Sequence, residues 1–203
     1  TLSPGRGRTP GVESSGVKNS TARLKRLTIV TDAWTPQVNG VVTTLRNTSR
    51  MLTRMGHEVT MITPEHFRSF PCPGYNEIRL SAFAGKKVAQ MLESSRPDAI
   101  HIATEGPLGM AGRAWCLKNE FTFATSCHTQ FPEYIRLRAP IPTSWTYAWL
   151  RRFHGSAHTT LVRSKTQRKL LEERGFRHLR LWPGAVDTEL FRPRGKDALD
   201  LPR

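Results

Sequence analysis

With 203 residues and 37% hydrophobic side chains, the chain has room for one well-buried domain. No run approaches the roughly eighteen consecutive apolar residues of a membrane span, and residues 1–26 lack the apolar centre of a secretion signal, so a cytoplasmic protein is expected. Lys and Arg number 31 against 16 for Asp and Glu, a formal charge of +15, which brings nucleic acid, an anionic membrane surface and a phosphorylated ligand forward as partners.

Residues 1–26 are rich in Thr, Ser, Gly, Pro, Arg and Lys and offer little to bury, so a disordered basic leader is expected. From Leu27 onward, short β-branched runs alternate with amphipathic stretches, the pattern of a parallel sheet covered by helices on both faces. Leu27 to Asp32 reads as a first strand, apolar on both sides as a central strand must be. The loop AWTPQVNG leads to a helix over about Val41 to Met55, which Gly56 ends by taking the left-handed conformation. EVTMITP is a second strand, HFRSFPCPGYNE a connection, IRLSAF a short third strand and GKKVAQMLESSR a helix. Asp98 to Thr104 is a fourth strand. Pro107 suits the first turn of the helix that follows, because its missing N–H would be unpaired there. FTFATSC is a fifth strand, Trp145 to Phe153 an aromatic helix and HTTLVR a sixth strand. Ser164 with Gln167 makes a capping box for a helix closing at Gly175, and Leu179 to Trp182 is the last strand. The domain is expected to span 27–186, with 187–203 as the start of a linker.

Cys72, Cys116 and Cys127 have no paired spacing, which excludes a disulfide framework or a zinc site of ordinary spacing and leaves buried, inert thiols. No metal site and no cofactor are expected, and no Ser–His–Asp or Cys–His arrangement stands out. Residues 133–180 hold eleven Lys or Arg against three Glu, either a solvated face or an anion-binding surface. They carry no RNA- or DNA-binding motif, so nucleic acid is not the partner expected.

In an open parallel sheet, ligands bind beyond the carboxyl ends of the strands. Four segments fall there. Asn39 and Gly40 precede a helix, either as an ordinary turn or as a place where the Gly40 and Val41 amides meet a phosphate or sugar oxygen. Glu105 and Gly106 precede the helix opened by Pro107, where the carboxylate either caps the helix or accepts from sugar hydroxyls. His128, in a run with Thr129 and Glu133, ends a strand and can exchange a hydrogen bond with a hydroxyl or serve the structure alone. Ser164 follows the sixth strand.

The segments TDAWTPQVNGVVTTL, GHEVTMITP, PCPGYNEIRLS, PDAIHIATEGPLGMAGRAWC, SCHTQFPEY and WPGAVDTELFRP together resemble glycosyltransferase family 4, most closely its GDP-mannose-dependent α-mannosyltransferases and sulfoquinovosyl-diacylglycerol synthases. The resemblance covers about residues 27–193. It implies the Rossmann-like amino-terminal half of a GT-B fold, in which the first domain mostly binds the acceptor and the second grips a sugar nucleotide, GDP-mannose or a UDP-sugar. Transfer in such proteins retains the anomeric configuration and requires no metal.

Carried across by motif position, Asn39 and Gly40 would lie near the donor diphosphate. His128 would contact the transferred sugar as the catalytic residue, and Glu105 would lie in the same cleft. The family's pair of glutamates in the donor domain has no counterpart after Pro193, so this chain alone is expected to be inactive, the alternative being a non-catalytic sugar- or lipid-binding module. Two positions depart from the pattern: FAGKKV stands where a proline-glycine pair is common, and HTQF replaces HTDF, so that Gln130 lacks the charge. A lipid or glycan acceptor at the inner face of a membrane would give the basic surface a role.

Overall fold

The computed structural model describes residues 25–72, 75–128 and 142–184. The expected leader, the connection holding Thr129, Gln130 and Glu133, and the segment after Gly184 lie outside the described residues.

Six strands form one parallel sheet: β1 (Arg26–Val30), β2 (Glu58–Ile62), β5 (Ala99–Ile102), β6 (Phe123–Cys127), β7 (Thr159–Val162) and β8 (Leu179–Leu181). Their order is β2-β1-β5-β6-β7-β8. The chain leaves β1 toward β2, then crosses back past β1 to β5. The crevice of this topology therefore opens between the carboxyl ends of β1 and β5. The expected Rossmann-like, doubly wound α/β architecture is what forms.

Alternate residues of the central strands face opposite layers. Val30, Ile62, Ile100 and Ile102 pack with Val88 and Leu92 of α2 (Ala84–Ser95) and Leu108 and Cys116 of α3 (Pro107–Lys118). Ile29 turns the other way, toward Leu45 of α1 (Gly40–Arg54). Farther along the sheet, Cys127 and Val162 pack with Tyr147 and Leu150 of α4 (Thr143–His154) and Leu171 of α5 (Lys165–Glu173). Burial raises the Cys116 thiol to about 12, which makes it inert at neutral pH.

Gly56 and Gly175 adopt φ values of 86° and 81° at the ends of α1 and α5. At each, the next two N–H groups bond back to carbonyls of the last turn, Gly56 to Thr53 and His57 to Leu52, Gly175 to Glu172 and Phe176 to Leu171. In the second, Phe176 also joins Leu171 in the core.

Two expectations change. The segment read as a connection contains β3 (Ser69–Cys72), and the strand read as IRLSAF is β4 (Tyr75–Ser81). These pair antiparallel with each other, outside the six-stranded sheet. The capping box of α5 is shifted: Ser164 Oγ accepts from Gln167 N at 3.0 Å, but Gln167 Oε1 accepts from Arg163 N rather than from the cap itself.

A Cβ on Gly109 would lie 1.8 Å from the Thr104 carbonyl oxygen, whereas on Gly112 it would meet the Val30 methyls at ordinary contact, 3.4 and 3.5 Å. Gly109→Ala is therefore expected to cost about 3 kcal/mol or more in urea unfolding, and Gly112→Ala less than about 1 kcal/mol, since alanine's helix propensity offsets the crowding. Equal effects would place the β5–α3 contact elsewhere.

Candidate functional site

Asp32, the first residue but one after β1, sits 7% exposed at the mouth of the crevice. Its carboxylate accepts from Leu108 N at 2.8 Å, Gly109 N at 3.2 Å and the Thr104 hydroxyl at 2.8 Å, and its own N–H donates to Thr104 Oγ1 at 2.7 Å. These are the amides an N-cap side chain of α3 would normally satisfy. The cap residue is Gly106, where a Cβ would fall 2.5 Å from Asp32 Cγ. Burial raises the Asp32 carboxyl above its ordinary range, and the donated hydrogen bonds counter part of that rise.

The α3 cap thus comes from a residue 76 positions away, and Glu105 is released for another contact. Its Oε1 lies 3.2 Å from Nε2 of the buried His154 on α4. His154 Nδ1 meets Thr125 Oγ1 at 3.0 Å, and Thr125 meets Thr160 at 2.9 Å. On the next residue of β6, Ser126 Oγ lies 2.8 Å from His128 Nε2 and 3.0 Å from His101 Nε2. Trp182 sets its ring edgewise to both imidazoles. Burial lowers His101 to about 3, with His128 adding to the effect. Burial also lowers His128 to about 4, opposed by Glu105 and aided by Arg163. Both rings are neutral at neutral pH.

A third group gathers at the start of α1. Asn39 Oδ1 accepts from Val41 N and Val42 N, each at 3.0 Å. Arg163 reaches across from the end of β7 to donate to Thr44 Oγ1 at 3.0 Å, and Thr44 donates to Gly40 O. Nothing lies within 4 Å of where a Gly40 Cβ would be, so its backbone is open to approach.

The family model described as Glycosyltransferase Family 4 matches residues 38–190. The chain belongs to that family. It is 32% identical over 181 residues to sulfoquinovosyl transferase SQD2 of Arabidopsis thaliana, an alignment covering 77% of this chain and 34% of that protein. It is 24% identical over 193 residues to a GDP-mannose-dependent alpha-mannosyltransferase of Mycobacterium tuberculosis, covering 85% of this chain and 50% of the relative. Alpha-monoglucosyldiacylglycerol synthase of Acholeplasma laidlawii is 26% identical over 163 residues, 69% of this chain and 41% of that one. The chain thus spans between a third and a half of the length of these relatives.

In this family-4 chain, His128, Glu105 and the Asn39–Gly40 turn all fall on the carboxyl edge of the sheet. Gly106 is there to admit Asp32, and Ser164 is engaged in capping α5. The Val41 amide is held by Asn39, so of the two amides expected to meet a ligand, Gly40's is the one the cap leaves aside. Sequence reasoning missed Asp32, His101, Ser126 and His154. The ligand atoms of Glu105, Cys127 and His154 lie within 4.8 Å of one another, a spacing a metal ion could bridge. Here both His154 nitrogens are engaged, by Glu105 and Thr125, while Cys127 Sγ lies 3.6 Å from Gln167 Nε2, so none of the three is held open for an ion. An open depression beside Phe121, Phe123 and His158 lies at the opposite, amino-terminal end of β6.

The two depressed imidazoles fix a sign for stability against pH. The unfolded chain takes up their protons near 6.5 and the folded chain only near 4 and 3, so their contribution is whole above about pH 6.5 and is lost as pH falls. The raised Asp32 carboxyl acts oppositely over its own range. The urea midpoint is expected to fall between about pH 7 and pH 5, and less steeply in a His101→Gln/His128→Gln variant; parallel slopes would mean that both rings titrate normally.

Proposed function

We propose that this chain is the acceptor-side half of a retaining hexosyltransferase that moves a sugar, mannose first, from GDP-mannose or a UDP-sugar to a lipid or glycan acceptor. The observation that carries this reading is the convergence of His128, Glu105 and the open Gly40 turn on the carboxyl edge of the sheet in a family-4 chain. The relatives' names point the same way: one is named for GDP-mannose and another for a diacylglycerol glycolipid. His128, neutral and carried on a rigid strand end, would hold a sugar hydroxyl. The start of α1 would face the donor diphosphate, with Gly40 permitting close approach. In this scheme the chain supplies positioning and hydrogen bonds, with no protein nucleophile, and a donor-side half supplies the grip on the nucleotide. Alone, the chain would bind without turning over.

Transfer from GDP-mannose or UDP-sugars, measured with a family donor-side half joined to this chain, is the test. Activity of the joined protein and none of the chain alone is expected, with His128→Ala lowering transfer about 100-fold or more. Turnover by the chain alone, or full activity of His128→Ala, would refute the assignment.

The acceptor surface is proposed to meet an anionic membrane. On α4, Trp145 is 72% and Trp149 37% exposed, one turn apart, beside the exposed Arg151 and Arg152. Indole rings favour the headgroup level, and each basic residue near anionic lipid contributes about 1 kcal/mol. Flotation with phosphatidylglycerol-containing vesicles is expected to show binding that high salt weakens and that Trp145→Ala/Trp149→Ala reduces. Absence of binding at low salt would remove the membrane from this reading.

A further inference from the structure

The Ser126 hydroxyl is 1% exposed and has a single proton to give. Three groups surround it: His128 Nε2 at 2.8 Å, His101 Nε2 at 3.0 Å and the Ala103 carbonyl oxygen at 3.3 Å. With both imidazoles neutral, each ring has one N–H, and the position of the Ser126 proton decides which nitrogen carries it. His128 Nδ1 is buried and has no hydrogen-bond partner among the described residues. If Ser126 donated to His128 Nε2, the His128 proton would have to sit on Nδ1, leaving an orphaned buried N–H. Such orphans are rarer than under-used acceptors, because an unmade donor forfeits its full hydration. With the proton on Nε2 the conflict disappears. His128 then donates to Ser126, Ser126 donates onward to His101 Nε2 rather than over the longer contact to Ala103, and His101 keeps its proton on Nδ1.

We propose that Ser126 and His101 are positioning residues that hold His128 as its Nε2–H tautomer, so that the buried Nδ1 carries a lone pair and any ligand group that comes to reach it must be a donor. The chemistry this selects is specific. An Nδ1 lone pair takes a hydrogen from a sugar hydroxyl and cannot bond an ionised phosphate oxygen, which only accepts. That the hydroxyl belongs to a sugar rests on the function proposed above; the tautomer does not.

Long-range proton–nitrogen correlation spectra of the 15N-labelled chain at neutral pH read the tautomer directly, with the His128 signals identified by their loss in His128→Gln. The Nε2–H form is expected in about tenfold excess in the unmodified chain. Ser126→Ala should bring the ratio within about threefold of unity, with circular dichroism confirming the fold. His101→Phe, which removes the acceptor of the Ser126 proton, should move His128 toward Nδ1–H and serves equally if Ser126→Ala does not fold. An Nδ1–H ring in the unmodified chain, or a ratio indifferent to both substitutions, would overturn the proposal. Because no substrate enters the measurement, that result stands apart from the outcome of the transfer assay.

Discussion

The carboxylate of Asp32 is the constraint on which the cleft depends. It lies where the sheet reverses its winding and binds the end of β1 to the first turn of α3 across the crevice. Burying a charge is costly unless it is compensated, and here two backbone amides and the Thr104 hydroxyl compensate it. The motif EGPLG then follows residue by residue. Gly106 leaves room for the carboxylate, Pro107 starts the helix without an N–H to satisfy, Leu108 and Gly109 offer theirs to Asp32, and Gly109 passes against the Thr104 carbonyl. One consequence is electrostatic. The amides at the positive end of α3 are taken up by the protein's own acid, so a ligand in the crevice would find open backbone at the start of α1 rather than at α3.

The carboxyl end of β6 carries the second organising feature. Successive strand residues point to opposite faces, so Thr125 and Ser126 address different layers. Thr125 holds His154, which holds Glu105; Ser126 holds His128 directly. Glu105 is close enough to raise the pKa of His128, so the two lines reconverge at the crevice. Among the described residues, the imidazole and carboxylate a ligand would meet there are placed by hydrogen bonds from β6 and α4, and burial keeps the His101 and His128 rings uncharged.

The sheet and its helices were legible because their signals are local. Val41, Val42, Leu45 and Leu52 mark a helical stripe, Gly56 its stop, and the β-branched runs the strands. The residues that build the cleft were legible only in part, because their partners are distant in sequence. Nothing near Asp32 shows that it caps a helix 76 residues on, and nothing near His154 shows that Glu105, 49 residues earlier, is its partner. Glu105 looked like a cap because it stands just before the cap position, but the first-turn amides are already bonded to Asp32. The β3–β4 hairpin was hidden by prolines and a glycine that read as breakers, which an edge pairing outside the main sheet tolerates. Phe83 and Glu120 take left-handed conformations at helix ends where glycine would be expected, so their local signal was silent.

Helix α4 joins the surface to the cleft. Trp145 and Trp149 face outward, while Tyr147, Leu150 and Phe153 lock its inner face into the core. His154, its last residue, reaches Glu105 beneath the crevice. A close-packed helix cannot absorb a displacement at one end without passing it on, because the core around it has few voids. In the proposed function, an acceptor held at a membrane surface and a sugar held at His128 would be registered against each other by this one rigid element. The hydrogen bond from His154 to Glu105 is the point at which that register would be transmitted.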